Sequence, residues 1–266
     1  MCSSDLVMTA QRLRELHRGN ELLVLPNAWD PASAVVIKHA GAPAIATTSA
    51  GVAWSCGWPD GDQLPADEMV GAVRRILRVV DLPLTVDIEE GCSDDPDEVA
   101  RLVATLVDAG VAGINIEDGS ESPDLLVAKL TAIRAALGRR DLYINARTDV
   151  YLRGMAAGEA AVEEVTRRAG RYLDAGTDGM FVPGVSATDH IRRLADAIAP
   201  APLNVMLVPG LPSREELFAA GARRLSAGIA LSLEAYANTA RMAAEFMGKA
   251  EPAAISYPML NALLKR

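Results

Sequence analysis

Short apolar runs rich in Val, Ile, Leu and Ala recur along the chain. Between them, apolar positions return at the three-and-four spacing of an amphipathic helix. The runs predict strands at Glu21–Leu25, Ala44–Thr48, Leu84–Ile88, Gly113–Ile116, Leu142–Ala146, Gly179–Val182, Leu203–Leu207 and Arg223–Ser226. The helical spacing predicts helices at Thr9–Arg18, Pro31–Ala40, Ala66–Val80, Pro96–Ala109, Pro123–Leu137, Gly158–Ala175, Ala187–Ile198, Ser213–Ala220 and Leu231–Met247. Their ends carry chemical punctuation. Asp30-Pro31 and Asp95-Pro96 pair a capping carboxylate with a proline at the first helical position. Ser213 and Glu216 form a capping-box pattern, and Gly41, Gly110 and Gly176 close helices.

Strands alternating with helices at intervals of roughly 20–35 residues imply a parallel sheet, and the number of units implies a closed (β/α)8 barrel of the TIM type. No linker or shift of composition interrupts the chain, so residues 1–266 read as one domain, with an N-terminal helical segment at 1–20 and an apolar tail at 249–266. A doubly wound open sheet is the weaker alternative, because no GxGxxG follows the first strand. The tail carries Ile255, Tyr257, Met259, Leu260, Leu263 and Leu264, which fits either contact with another subunit or packing on its own barrel.

Composition narrows the function classes. A net charge of −9 and a pI near 4.9 disfavour nucleic-acid binding. The longest uncharged stretch, Ala40–Pro59, is broken by Gly41, Pro43, Gly51, Gly57 and Pro59, so no membrane span is expected. Cys2, Cys56 and Cys92 form no CxxC and no disulfide framework, and Met1–Asn20 is too charged for a secretion signal. A reducing cytoplasm is the expected location. His17, His39 and His190 fall in helical segments on the outside of a barrel, which removes a His-based triad or a zinc site. Cys56 and Cys92 lack a neighbouring histidine and read as inert thiols.

The candidate chemistry lies at the strand ends, because every C-terminus of a parallel barrel faces the same side. Leu84-Thr85-Val86-Asp87-Ile88-Glu89-Glu90-Gly91 and Gly113-Ile114-Asn115-Ile116-Glu117-Asp118-Gly119 both run from an apolar strand into carboxylates and a glycine. The crossover between them brings Asp87, Glu89 and Glu117 together, where they repel one another unless a cation such as Mg²⁺ sits among them. Glu90, Asp94, Asp95 and Asp118 read instead as solvated turn acids. The other strand ends deliver Trp29 and Asp30, Ser49-Ala50-Gly51, Arg147, Pro183-Gly184, Asn204, and Ser226 with Gly228. Ser49–Gly51 backbone N–H groups and the Arg147 fork suit a carboxylate or phosphate. Arg147 is also expected to pair with Glu117, and Asn204 fits a strand-end hydrogen bond as well as it fits a substrate contact. Asp60, on the long Ser49–Leu64 loop, is a candidate general acid or base, or a residue that orients the groups around it, or a plain turn acid.

These residues together resemble the isocitrate lyase/phosphoenolpyruvate mutase superfamily, over about Leu22 to Gly248. The resemblance rests on Pro26-Asn27-Ala28-Trp29-Asp30, Thr48-Ser49-Ala50-Gly51-Val52, Pro59-Asp60, Val86-Asp87-Ile88-Glu89-Glu90-Gly91, Gly113-Ile114-Asn115-Ile116-Glu117-Asp118 and Ala146-Arg147-Thr148-Asp149, in that order. It implies Mg²⁺ or Mn²⁺ held largely through water, with Asp87 as direct ligand and Glu89 and Glu117 in support. It implies that Ser49, Ala50, Gly51, Arg147, Trp29 and Asn204 meet a small 2-oxo or 2-hydroxy acid, with Asp60 near the metal. C–C or P–C bond chemistry beside an enolate, and a dimer or tetramer that exchanges the last helix, follow from the same likeness.

The chain departs from that pattern after Glu117. Lyase branches carry a Lys-Lys/Arg-Cys-Gly-His loop there, whereas this chain has Gly119-Ser120-Glu121-Ser122-Pro123-Asp124. The lysine- and asparagine-bearing gate of the mutases is missing too, and Gly91-Cys92-Ser93 replaces a Gly-Tyr/Phe-Gly turn. The resemblance therefore implies a divergent metal-dependent lyase, decarboxylase or hydrolase of a small oxo- or hydroxy-acid. A phosphonomutase or phosphonate hydrolase, and a non-catalytic binder of small dicarboxylates, are the alternatives.

Overall fold

The computed structural model describes residues 3–250 and 252–265. Helix α1 (Ser3–His17) precedes β1 (Leu23–Leu25) and β2 (Asn27–Ala28). Then come α2 (Pro31–His39), β3 (Ile45–Thr47), α3 (Ser49–Ser55), α4 (Ala66–Leu77), β4 (Leu84–Asp87), α5 (Pro96–Ala109) and β5 (Gly113–Glu117). They are followed by α6 (Pro123–Leu137), β6 (Tyr143–Arg147), α7 (Gly158–Asp174), β7 (Gly179–Phe181), α8 (Thr188–Ile198) and β8 (Leu203–Met206). The chain ends with α9 (Arg214–Ala219), β9 (Ala222–Ser226), α10 (Ala230–Phe246) and α11 (Tyr257–Leu264).

All neighbouring strands pair in parallel, in the order β1-β9-β8-β7-β6-β5-β4-β3-β2. The barrel closes through its first strand. β1 pairs with β9 and β2 with β3, and Pro26, which has no N–H to give, separates the two. Among the described residues nine strands thus fill the eight barrel positions that the alternation predicts, because the first strand is split at Pro26. The main core lies between the sheet and the helix ring, where Val73, Val103, Leu106, Ile133, Val165 and Leu194 bury against Val86, Ile114, Ile144 and Leu203. A smaller cluster of Leu13, Leu25, Ala46, Ala112 and Tyr143 fills the N-terminal end. There α1 acts as a plug: His17 stacks on Tyr143 with centroids 4.5 Å apart, and Arg14 pairs with Asp141 and Asp178.

One segment differs from the sequence reading, and one open alternative is resolved. Ser49–Ser55 is a short helix, so the expected loop starts only after it. Gly51 explains why: a Cβ there would lie 2.7 Å from the Trp29 Cβ and 2.8 Å from the Thr48 Cγ2, so the turn packs directly on the first strand end. The tail, whose packing the pattern left open, contains α11, which docks on α3 of its own chain. Among the described residues no helix is long and apolar enough to cross a membrane. Cys2 lies outside the described residues, and Cys56 and Cys92 are free thiols.

Candidate active site

Two strand ends, those of β4 and β5, build the acidic wall, and that of β6 faces it with Arg147. Asp87 closes β4, and its backbone N–H donates to Thr47 Oγ1 on neighbouring β3 at 2.9 Å. Glu89 has φ of 52°, left-handed and costly for a side-chain-bearing residue. That conformation turns its carboxylate toward the long loop, where Glu89 Oε2 accepts from Gly61 N at 3.1 Å and Asp62 N at 2.8 Å. Asp62 and Cys92 share the left-handed conformation, so the three non-glycine residues with positive φ among those described cluster around this wall. Glu117 closes β5, directly opposite Arg147 in the β5–β6 register. The Arg147 Nη1 lies 2.6 Å from Glu117 Oε2, an ion pair out of line for a hydrogen bond.

Arg147 is held on a second side. Its Nε and Nη2 donate to the two oxygens of Asp149 at 2.7 and 3.0 Å, a bidentate fork. The Glu117 contact is an ion pair only, so three of the guanidinium's five N–H groups, both on Nη1 and one on Nη2, carry no protein hydrogen bond. Asp149 is in turn fixed by its own N–H, which donates to Asp118 Oδ1 at 3.0 Å. Asp118 is not the solvated turn acid that the pattern suggested. It is fully buried, and its Oδ2 accepts from Arg168 Nη1 at 2.8 Å and the Tyr172 hydroxyl at 2.7 Å. The residues after Glu117 carry a scaffold carboxylate and then a tight turn into α6, capped by Ser122.

These walls enclose a cavity of about 480 Å³ at the C-terminal face of the barrel. Asp60, Asp87, Glu89, Glu117, Arg147 and Ser49 all line it. Four expected site residues sit elsewhere. Trp29 packs on Tyr236 of α10, with ring centroids 6.2 Å apart. Ala50 and Gly51 are buried in α3 behind Ser49. Asn204 lies inside the barrel beneath the cavity, where its Oδ1 accepts from Asn145 and Ser226 and its Nδ2 donates to backbone carbonyls. Residues that sequence reasoning passed over take part instead: Asn27, Asn115, Asp149, Arg153, Phe181 and Tyr257 line the cavity. Asn27, Asn115 and Asp149 stood inside quoted motifs. Asn115 was readable from its spacing, two residues before Glu117 on the same strand face.

The acidic groups are electrostatically strained. Burial raises the Glu89 carboxyl to about 8, and the charges of Asp60, Asp62 and Asp87 push it the same way. Burial raises Asp87 too, opposed by Arg147 and by an N–H from Ser49. Glu117 is raised well above the ordinary carboxyl range by burial, despite Arg147. Below them Arg224 is wholly buried, and burial lowers its guanidinium to about 10. It donates to Ser226 Oγ at 3.0 Å and to Asn115 Oδ1 at 3.4 Å.

A divalent cation fits this donor set in one manner. Asp87 Oδ1 and Asp60 Oδ1 are buried without a protein partner, on the wall where three carboxyls are raised. Yet among the described residues no three acidic, cysteine or histidine side chains stand close enough to enclose an ion by themselves. The arrangement suits an oxygen-seeking ion that keeps most of its waters, as Mg²⁺ does.

Comparison with known proteins places this geometry. The family model of phosphoenolpyruvate phosphomutase matches residues 13–247. An uncharacterized protein of Mycobacterium tuberculosis strain H37Rv is 38% identical over 94% of this chain and 95% of its own. A 2-methylisocitrate lyase of Aeropyrum pernix is 33% identical over 72% of this chain and 63% of its own length. Among solved structures, a candidate phosphonomutase of Burkholderia cenocepacia J2315 superposes with a TM-score of 0.83 at 39% identity, covering 88% of this chain and 98% of that one. An oxaloacetate acetylhydrolase holding its product oxalate gives 0.79 at 27% identity, over 96% and 94%. The chain therefore belongs to the phosphoenolpyruvate phosphomutase family, within the superfamily that also contains the isocitrate lyase-type enzymes.

Proposed function

We propose that this chain is a metal-dependent enzyme that cleaves a C–C bond, or decarboxylates, in a small 2-oxo or 2-hydroxy carboxylic acid through an enolate. The observation that carries this reading is the convergence of Asp60, Asp87, Glu89 and Glu117 with Arg147 in one cavity. Asp87 would hold Mg²⁺ or Mn²⁺ directly, and Glu89 and Glu117 would hold it through water. When bound, the ion supplies electrophilic stabilisation of the negative charge that develops on the 2-oxygen.

The chain's own residues do the rest. Two of the unspent N–H groups of Arg147 grip the substrate carboxylate, with the guanidinium oriented by the Asp149 fork and the Glu117 charge. The Ser49 hydroxyl is the nearby neutral donor. Asp60, whose Oδ1 has no protein partner, is the group placed to accept or return a proton. Phe181, Leu152, Met206 and Ile229 form the apolar side of the cavity and exclude water there. The short turn after Glu117 supplies no cysteine, so the acid step falls to Asp60 or to water.

P–C bond chemistry on a phosphonate is the second reading, and the likeness to the Burkholderia protein favours it. A homo-oligomer, dimer or tetramer, fits α10 and its C-cap, which leave Leu231, Met242, Phe246 and Met247 exposed. Free thiols fit a reducing cytoplasm. The test is calorimetric titration with oxalate, which mimics a pyruvate enolate, with and without Mg²⁺. It is followed by assay of oxaloacetate, 2-methylisocitrate-type acids and phosphonopyruvate. Mg²⁺-dependent oxalate binding and turnover of one carbon acid support the reading. Turnover of phosphonopyruvate alone moves it to P–C chemistry, and oxalate binding without turnover leaves a dicarboxylate binder.

A further inference from the structure

The C-terminal helix reaches back to the cavity. After α10 the chain is exposed through residues 247–250, and it regains the barrel at α11. Two residues one helical turn apart make the contact. The Tyr257 hydroxyl donates to Asp60 Oδ2 at 2.7 Å. Asn261 Oδ1 accepts from the backbone N–H of Asp60 at 3.0 Å and from Trp54 Nε1 at 2.7 Å. Both lone pairs of that amide oxygen are thus spent on the Asp60 loop and the helix beneath it. Tyr257 also packs its ring 5.8 Å from that of Trp54 and lines the cavity.

These contacts are directional and polar, unlike the adhesion of a stray apolar helix. They grip one residue twice, at its backbone and its carboxylate. The next two residues of the same loop, Gly61 and Asp62, hold Glu89. A continuous set of hydrogen bonds therefore runs from α11 through Asp60 to the acidic wall.

We propose that Tyr257 is a positioning residue of the site, using its hydroxyl to anchor one oxygen of Asp60 so that the other faces the cavity. This rests on the reading that Asp60 serves the bound acid. The phenol suits the task, since burial and the Asp60 carboxylate raise it to about 12 and keep it a donor through the neutral range.

The test combines binding with hydrogen exchange, on the full chain. Y257F, D60N and the double variant are titrated with oxalate in the presence of Mg²⁺, and amide exchange is followed at residues 60–62 and 257–264. Losing a hydrogen bond to a charged group is expected to weaken Y257F about tenfold. The double variant is expected to bind like D60N alone, because Tyr257 acts through Asp60. Y257F should also speed exchange at 60–62 while Asn261 keeps α11 in place. Wild-type affinity in Y257F, or the same fold-loss in the D60N background, overturns the proposal. If wild type shows no Mg²⁺-dependent oxalate binding, the functional reading fails, and the exchange data then decide: unchanged exchange at 60–62 in Y257F overturns the anchoring itself, and faster exchange upholds it.

Discussion

The metal-free protein is expected to lose stability as pH rises, and Glu89 gives the magnitude. Its carboxyl moves from an ordinary 4.5 to about 8 in the fold, first through burial and then through Asp60, Asp62 and Asp87. A raised acid binds its proton more tightly folded than unfolded. Its stabilising share is complete below the unfolded value and is lost as pH climbs through the folded one. Across that whole window the loss is at most about 5 kcal/mol, at 1.36 kcal/mol per unit. His17 works in the opposite sense at the acid end, because burial lowers it to about 3, so it costs stability as pH falls below the ordinary histidine value. The clean part of the window is therefore above pH 6.5, where Glu89 accounts for about 2 kcal/mol, or roughly 5 °C in Tm for a chain of this size. Asp87 and Glu117 are raised by burial as well and add to the fall. The assay is thermal unfolding from pH 6.5 to 8.5 in EDTA, in Mg²⁺, and for E89Q, whose amide oxygen can still accept from Gly61 and Asp62. Wild type in EDTA should fall, Mg²⁺ should flatten the profile by favouring the ionised wall, and E89Q should fall less than wild type. A wild-type profile that is flat or rising in EDTA, or an E89Q profile that falls just as far, refutes the argument.

Three further outcomes follow from named contacts. D87N should weaken Mg²⁺-dependent oxalate binding by at least about a hundredfold while leaving Tm in EDTA unchanged or higher, since it removes a buried charge; calorimetry and unfolding together check it. D118A should cost about 3–5 kcal/mol by denaturant unfolding, because it strands Arg168, the Tyr172 hydroxyl and the Asp149 N–H in the interior; a loss below about 1 kcal/mol would mean the network is dispensable. R224M should separate binding from folding. The guanidinium is buried with Nη1 unpartnered, so stability should change by less than about 1 kcal/mol, yet oxalate–Mg²⁺ affinity should fall severalfold because Asp87 loses the cation beneath it; equal losses in both measurements would refute that.

The barrel and its acidic wall were legible because both depend on local rules. Apolar runs ending in Asp87, Glu117 and Arg147 specify strands whose last residue emerges at one face, whatever the helices do. What escaped depends on parity within strands. Thr85 and Asp87, Asn115 and Glu117, Asn145 and Arg147, and Arg224 and Ser226 are pairs two apart, so each pair shares a face. Their neighbours Val86, Ile114, Ile116, Ile144, Ala146 and Leu225 are the ones that meet the helices. The interior of this barrel is therefore a stack of polar layers. That assigns Asn204 to the buried layer, hydrogen-bonded to Asn145 and Ser226, and assigns Asn115 to the floor of the cavity. Reading only strand ends gives Asn204 a ligand role, whereas reading the face gives it the support of a floor. The same reading explains why a fully buried arginine is tolerated. Arg224 donates to Ser226 and Asn115 and has the charge of Asp87 nearby, so it offsets one carboxylate of the wall from beneath. Two features had no local signature. Asp118 follows a strand and precedes a glycine, as a solvated acid does, and only the approach of Arg168 and Tyr172 from α7 distinguishes it. Tyr257 lies 197 residues from Asp60 in sequence, and no periodicity in the tail could have named its partner.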